Sequence, residues 1–264
     1  MTDAELTFLK DYRAPEFLVP RVELTFAIRS EATVVRARLR VEPQPHRAPG
    51  AGLRFSGEDL TLVSVAIDGA PLGFEGYTVD ALGLTLNAPP DEPFDLDLTV
   101  EIDPAGNTRL MGLYRSSGVW CTQCEPEGFR RMVYFPDRPD VLSVYTVRIE
   151  ADVAAAPVLL SNGNRIAAGA LDNGRHYAVW HDPFPKPSYL FALVAGDLGH
   201  IEDGFITMSG RTIALGIYCE HGNEERCRYA MDALKRSMAW DETRFGREYD
   251  LDLFNVVAVS DFNF

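Results

Sequence analysis

The stretches that decide the fold are RVELTFAIR (residues 21–29), TVVRARLRVE (33–42) and FDLDLTVEID (94–103). In the first, Val22, Leu24, Phe26 and Ile28 fall on one face, and Glu23, Thr25 and Arg29 on the other. In the second, Val35, Ala37, Leu39 and Val41 oppose Arg36, Arg38 and Arg40; in the third, Phe94, Leu96, Leu98, Val100 and Ile102 oppose Asp95, Asp97, Glu101 and Asp103. Successive side chains of a strand point to opposite sides, so this alternation predicts half-buried strands of a sandwich whose outer faces meet water. The plainer reading of the Arg and Asp/Glu stripes is two solvated faces. Pairing across neighbouring strands would add about 0.2–1 kcal/mol per pair, and neither stripe is a binding site on this ground.

Further candidate strands lie at 60–67, 82–87, 145–152, 176–182 and 189–196. Asp68-Gly69, Asn162-Gly163 and Asn173-Gly174 sit between apolar runs as hairpin turns. Pro183, Pro185 and Pro187 read as a stiff connector. The pattern changes near Asp197. FITMSGRTIALGIYCE (205–220) reads as a hairpin turning at Ser209-Gly210, followed by a helix capped by Asn223 and opening on Glu224 and Glu225. Cys227, Met231, Leu234 and Met238 give that helix an apolar stripe, and Gly246 stops it. LDLFNVVAVSDFNF (251–264) then reads as a continuous apolar strand of the kind covered on both faces. The chain thus divides into a β domain, 1–196, and the opening of a second, α/β-type domain, 197–264. No internal repeat or low-complexity tract interrupts it.

Composition narrows the function classes. A chain of 264 residues is one large domain or two modest ones, and 46% hydrophobic residues exclude wholesale disorder. Its 39 Asp+Glu against 25 Lys+Arg give a net charge of −14, which argues against nucleic acid or an anionic membrane surface as the main partner. The opening MTDAELTFLKDYR has no signal-peptide core, and no apolar run approaches the ~20 residues of a spanning helix. The expected location is therefore the cytoplasm, with the four cysteines as thiols.

The local motifs supply no catalytic constellation. No H-E-x-x-H is present, no two of the five histidines share a helical face, and His176 and His181 are five apart on a predicted strand and so point to opposite faces. Cys121 and Cys124 form a C-x-x-C, but Cys219 and Cys227 do not form the second pair that would mark zinc. G-x-S-x-G is missing, and Gly50-Ala51-Gly52 has no third glycine or helix pattern behind it. One stretch does stand out. Trp120, Gln123, Glu125, Glu127, Arg130, Arg131, Phe135, Asp137, Arg138 and Tyr145 crowd a segment with little periodicity, as in a site-forming loop or a packing loop with salt bridges.

That same stretch, MGLYRSSGVWCTQCEPEGFRRMVYFPDRPDVLSVYTVRIEAD (111–152), resembles the M1 family of zinc aminopeptidases. The likeness continues through LLSNGNRIAAG (159–169), LDNGRHYAVWHDPFPKPSYLFALVAGD (171–197) and MAWDETRFGREYDLDLFNVVAVSDFNF (238–264). It implies a mainly β chain: an N-terminal antiparallel β-sandwich or saddle over 1–196, then the truncated start, a small sheet plus helix, of a thermolysin-like α/β catalytic domain over 197–264. It also implies that the family's G-A-M-E-N motif would follow directly after Phe264, with H-E-x-x-H and the zinc later still. On this reading the chain is the N-terminal part of a longer zinc enzyme, holds no metal or catalytic residue itself, and is inactive alone.

The resemblance assigns three substrate-binding residues. Glu125, last of T-Q-C-E, matches the glutamate that binds the substrate's α-amino group, and Gln123 the glutamine lining the first specificity pocket. Phe264 stands where many relatives have a methionine facing that pocket. The implied partners are peptides bearing a free N-terminal amine and the remainder of the catalytic domain. A non-catalytic interaction module is the competing reading, and the presence of both Gln123 and Glu125 favours the enzyme. A redox or metal protein built on C-x-x-C is the third, which a thiol count separates.

Overall fold

The computed structural model describes residues 8–48, 50 and 52–262. The first strands are β1 (Phe17–Ala27), β2 (Thr33–Pro43), β3 (Leu53–Ser56), β4 (Thr61–Ile67), β5 (Ala70–Pro71) and β6 (Tyr77–Asp80). Next come β7 (Gly83–Leu86), β8 (Phe94–Ile102), β9 (Gly112–Ser116), β10 (Val119–Gln123), β11 (Ser143–Asp152) and β12 (Val158–Ser161). The remainder are β13 (Asn164–Ala170), β14 (Arg175–Lys186), β15 (Leu193–Gly196), β16 (Gly199–Ile206), β17 (Thr212–Cys219), helix α1 (Arg228–Phe245) and β18 (Leu253–Val257).

Among the described residues these make four sheets: β13-β14-β11-β1-β2-β8-β4-β5, β12-β15-β10-β9, β3-β7-β6 and β16-β17-β18. The large sheet is antiparallel except where β1 and β11 run parallel, which the long excursion between them allows. The alternating stretches fold as β1, β2 and β8, with Val22, Leu24, Phe26, Val35, Leu39, Leu96 and Val100 buried on the inner face. Each such side chain contributes about 1.5–3 kcal/mol of burial. That face meets an aromatic cluster: Phe191 lies 6.0 Å from Phe26 and 5.2 Å from Phe129, ring centre to ring centre. The Trp180 indole N–H reaches across to the Leu159 carbonyl at 3.1 Å, tying the large sheet to the four-stranded one.

On the wet face the stripes do more than meet solvent. Register places Arg38 opposite Asp97 and Arg40 opposite Asp95, and the pairs close at 2.7 and 3.2 Å. Half-exposed pairs of this kind contribute at most about 1 kcal/mol each.

A separate buried cluster joins Ile213, Leu215, Ile217 and Cys219 of the three-stranded sheet to Cys227 and to Met231 and Met238 of α1. The helix stripe is where the spacing put it, and Gly246 ends the helix in the left-handed conformation at φ 62°. Its start differs. Residues 224–227 form a 3-10 turn, and no side chain caps α1. The Asn223 amide is spent elsewhere, donating to the Glu220 carbonyl and accepting from Arg226 at 2.8 Å. The edge strand β18 lies parallel to β17 and is half-buried along its whole length.

Three other expectations need correction. Asn162-Gly163 is not a hairpin turn, because β12 and β13 belong to different sheets; the dipeptide carries the chain from one to the other. Pro183 and Pro185 lie inside β14, beyond the stretch that β13 pairs, so their missing N–H groups cost no ladder bond on that side. The run 189–196 opens as a 3-10 turn at Ser188–Leu190 before β15 begins. Among the described residues no helix is long and apolar enough to cross a membrane.

Candidate functional site

The β9–β10 hairpin builds the site. Every residue of β10 is buried, and the strand is paired on both edges, by β9 and β15. Gln123 ends it at 6% exposure, and two residues later Glu125 stands exposed. Between them Cys124 turns the chain out of the sheet. The Gln123 side-chain oxygen accepts the Glu125 backbone N–H at 3.1 Å, so the buried glutamine fixes the backbone that carries the exposed carboxylate.

The loop closes tightly. Glu125-Pro126 is a cis peptide, Glu127 takes the left-handed conformation at φ 67°, and the Gly128 N–H donates to the Cys124 carbonyl at 3.0 Å. A Cβ at Gly128 would lie 2.2 Å from the Gln123 carbonyl oxygen and 3.0 Å from the Gly112 nitrogen, so only glycine lets the loop approach the hairpin this closely. Phe129 follows, fully buried, with its ring 5.0 Å from Phe135 and 6.0 Å from Tyr145.

The loop's cations are committed internally. Arg130 donates from its Nε to Asp137 at 3.0 Å and meets Glu127 at 3.3 Å. Arg131 pairs with Glu58 and Asp59, and Arg138 with Asp140. The Glu125 carboxylate, by contrast, makes no ion pair among the described residues and faces solvent. The arrangement therefore presents one available carboxylate on a loop held from both sides, suited to a cation that brings its own donors.

Of the residues singled out between 120 and 145, Gln123, Glu125, Glu127, Arg130 and Asp137 come together around this turn. Phe135 and Tyr145 go to the core, and Trp120 lies under Arg115, whose guanidinium is 4.8 Å from the indole ring. Phe264 lies outside the described residues. The cysteines are all free and buried, and burial pushes the Cys121 thiol up to about 11 and Cys124 well above the usual thiol range. Neither is an activated thiolate at neutral pH. The histidines are scattered: His176 bonds the Ala156 carbonyl at 2.7 Å, His181 the Thr146 hydroxyl at 3.0 Å, and His221 meets Asp197 at 2.9 Å. Among the described residues no group of three or more His, Cys, Asp or Glu is placed to hold a metal ion.

Local reading missed two features. Asp261, past the end of β18, returns to the hairpin: its carbonyl accepts from the Tyr114 hydroxyl at 2.8 Å, its carboxylate from the Ser116 hydroxyl at 2.9 Å, and its N–H donates to that same hydroxyl at 2.9 Å. The segment following β18 is thus anchored on the hairpin that carries Gln123. Ser188 likewise reaches in to donate to Asp137. Separations of 145 and 51 residues leave no trace in a local pattern.

Comparison with known proteins gives one answer throughout. The Peptidase M1 N-terminal domain matches residues 24–190. Aminopeptidase N of Caulobacter vibrioides is 57% identical over 97% of this chain and 29% of its own length; that of Escherichia coli is 51% identical over 96% of the chain and 28% of its own. The crystal structure of Legionella pneumophila aminopeptidase A in complex with aspartic acid superposes with a TM-score of 0.91 at 37% identity, covering 96% of this chain and 30% of that one. An M1 zinc metallopeptidase of Deinococcus radiodurans bound to a Tyr-Ser-Ala substrate shares the fold, with a TM-score of 0.76 at 17% identity. The chain spans about 29% of the length of the curated relatives it matches.

Proposed function

The chain belongs to the M1 peptidase family, and from that premise we propose that it is the N-terminal portion of a zinc aminopeptidase removing N-terminal amino acids from peptides. Its own task is to read the substrate's free α-amino group with Glu125, beside a first specificity pocket walled by Gln123 and, in the longer protein, by Phe264. The observation that carries this is the Glu125 carboxylate, exposed and free of ion pairs on a loop whose other charges are internally paired.

A compact ammonium offers several N–H donors, and each charge-assisted bond to a carboxylate contributes about 1.5–3 kcal/mol. An internal peptide bond carries no ammonium and would leave the carboxylate unmatched, so the site selects chain ends by the cost of that mismatch. Zinc, in the longer protein, would supply the activated water and Lewis acid for hydrolysis. The described residues of this chain do not fit a zinc site. The separate buried clusters support the division into 1–196 and 197–264, and the free buried thiols support a reducing compartment such as the cytoplasm.

The test is Glu125→Gln in the full-length enzyme. Loss of one charge-assisted bond predicts kcat/KM for an aminoacyl substrate down roughly 10- to 100-fold; an unchanged value would overturn the assignment. The isolated chain, lacking the rest of the catalytic domain, should bind an aminoacyl amide more weakly than millimolar by calorimetry, and sub-millimolar binding would refute that.

A further inference from the structure

The Asp137 side chain is only 2% exposed and accepts a backbone N–H from the loop that follows Glu125. A buried carboxylate is costly unless donors converge on it, and here they do. Ser188 donates to one oxygen, and the Arg130 backbone N–H and Nε donate to the other at 3.1 and 3.0 Å. The Asp137 carbonyl takes Arg130 Nη2 at 3.1 Å as well. One aspartate thus grips Arg130 at backbone and side chain together. The same Nη2 also meets Glu127 at 3.3 Å, two residues from Glu125.

We propose that Asp137 is a positioning residue for amine recognition: it holds the Arg130 guanidinium against itself and Glu127, so that the cation neither turns onto Glu125 nor repels the incoming ammonium. The proposal rests on the reading of Glu125 given above. Arg130 is the cation nearest in sequence to Glu125 that the loop could release. Asp137→Asn keeps the shape but removes the charge that makes Arg130's present position the favoured one. The freed guanidinium then competes with substrate for Glu125, a loss in ground-state and transition-state binding alike. That raises KM and leaves kcat nearly unchanged.

The experiment uses the full-length enzyme with an aminoacyl substrate, together with calorimetric binding of an aminoacyl amide. Asp137→Asn should raise KM and the amide Kd roughly tenfold with kcat within about twofold, the scale of one charge-assisted contact. Adding Arg130→Gln to it should bring KM back to within about threefold of the parent, since the competing cation is gone; a merely structural role predicts that the double variant is worse. In a Glu125→Gln background Asp137→Asn should do little more. If the Asn variant does not fold, Ser188→Ala removes one donor and should give a smaller rise of the same sign. Unchanged KM in a folded Asp137→Asn, or no recovery on adding Arg130→Gln, overturns the proposal. If Glu125→Gln is itself without effect, the reading of Glu125 has failed as well.

Discussion

Gly128 shows how much of this site rests on single atoms. A methyl group there would meet the Gln123 carbonyl at 2.2 Å and the Cys124 Cα at 2.7 Å, backbone atoms that cannot swing aside. Gly128→Ala is therefore expected to destabilise the chain by about 2 kcal/mol or more, as overpacking of a closed site does, read as a lower urea midpoint with an unchanged slope. A midpoint within experimental error of the parent would show that the loop has room to yield. Arg38 is the contrast. Its pair with Asp97 is half in water, so Arg38→Ala should cost no more than about 1 kcal/mol in the same measurement.

At the scale of the element, helix α1 separates what a spacing shows from what a cap requires. Its stripe buries Met231 and Met238 against the inner face of β17, and Met238→Ala is expected to cost about 2–5 kcal/mol by leaving a cavity. Asn223 is residue-correct for a cap and makes no capping bond, its amide being engaged with Glu220 and Arg226. Asn223→Ala should consequently stay below about 0.5 kcal/mol, where a true N-cap would cost about 0.5–2. Thermal melts of the two variants give the comparison directly, and a large loss at Asn223 would show that the first turn depends on it.

Over the whole molecule, buried thiols and phenols are expected to make stability fall at alkaline pH. Burial holds Cys121 and Cys219 at about 11 in the fold, against an ordinary thiol value of 9.0. Cys124 and the Tyr114 phenol are shifted upward for the same reason. Each group keeps its proton in the folded state at a pH where the unfolded chain has released it. The contribution of Cys121 and Cys219 is thus complete below about pH 9 and is lost as pH rises toward 11, while that of Tyr114 declines only above its ordinary value of 10.0. The urea midpoint should fall between about pH 9 and about pH 11, and a flat profile would contradict the burial. A second whole-molecule feature is the anchoring of Asp261 on Ser116 and Tyr114. Ser116→Ala should speed amide exchange at Asp261 and leave β10 protected; equal protection in both proteins would show that the hydroxyl holds nothing.

The sequence by itself determined the β-rich class, the inner and outer faces of β1, β2 and β8, and the helix stripe, because those rest on periodicities of two and 3.6 residues that any window displays. It also marked the crowded stretch around Gln123 and Glu125, through the T-Q-C-E motif and the density of charge. Tertiary structure alone decided which charges pair. Arg38 finds Asp97 through register, Ser188 reaches Asp137, and Asp261 returns to Tyr114 and Ser116. It also turned Asn162-Gly163 from a hairpin into a link between sheets and carried β14 through two prolines. The reason is the same in each case: a local pattern says which face of a strand is wet, while its partner is chosen by packing among residues tens or hundreds of positions away.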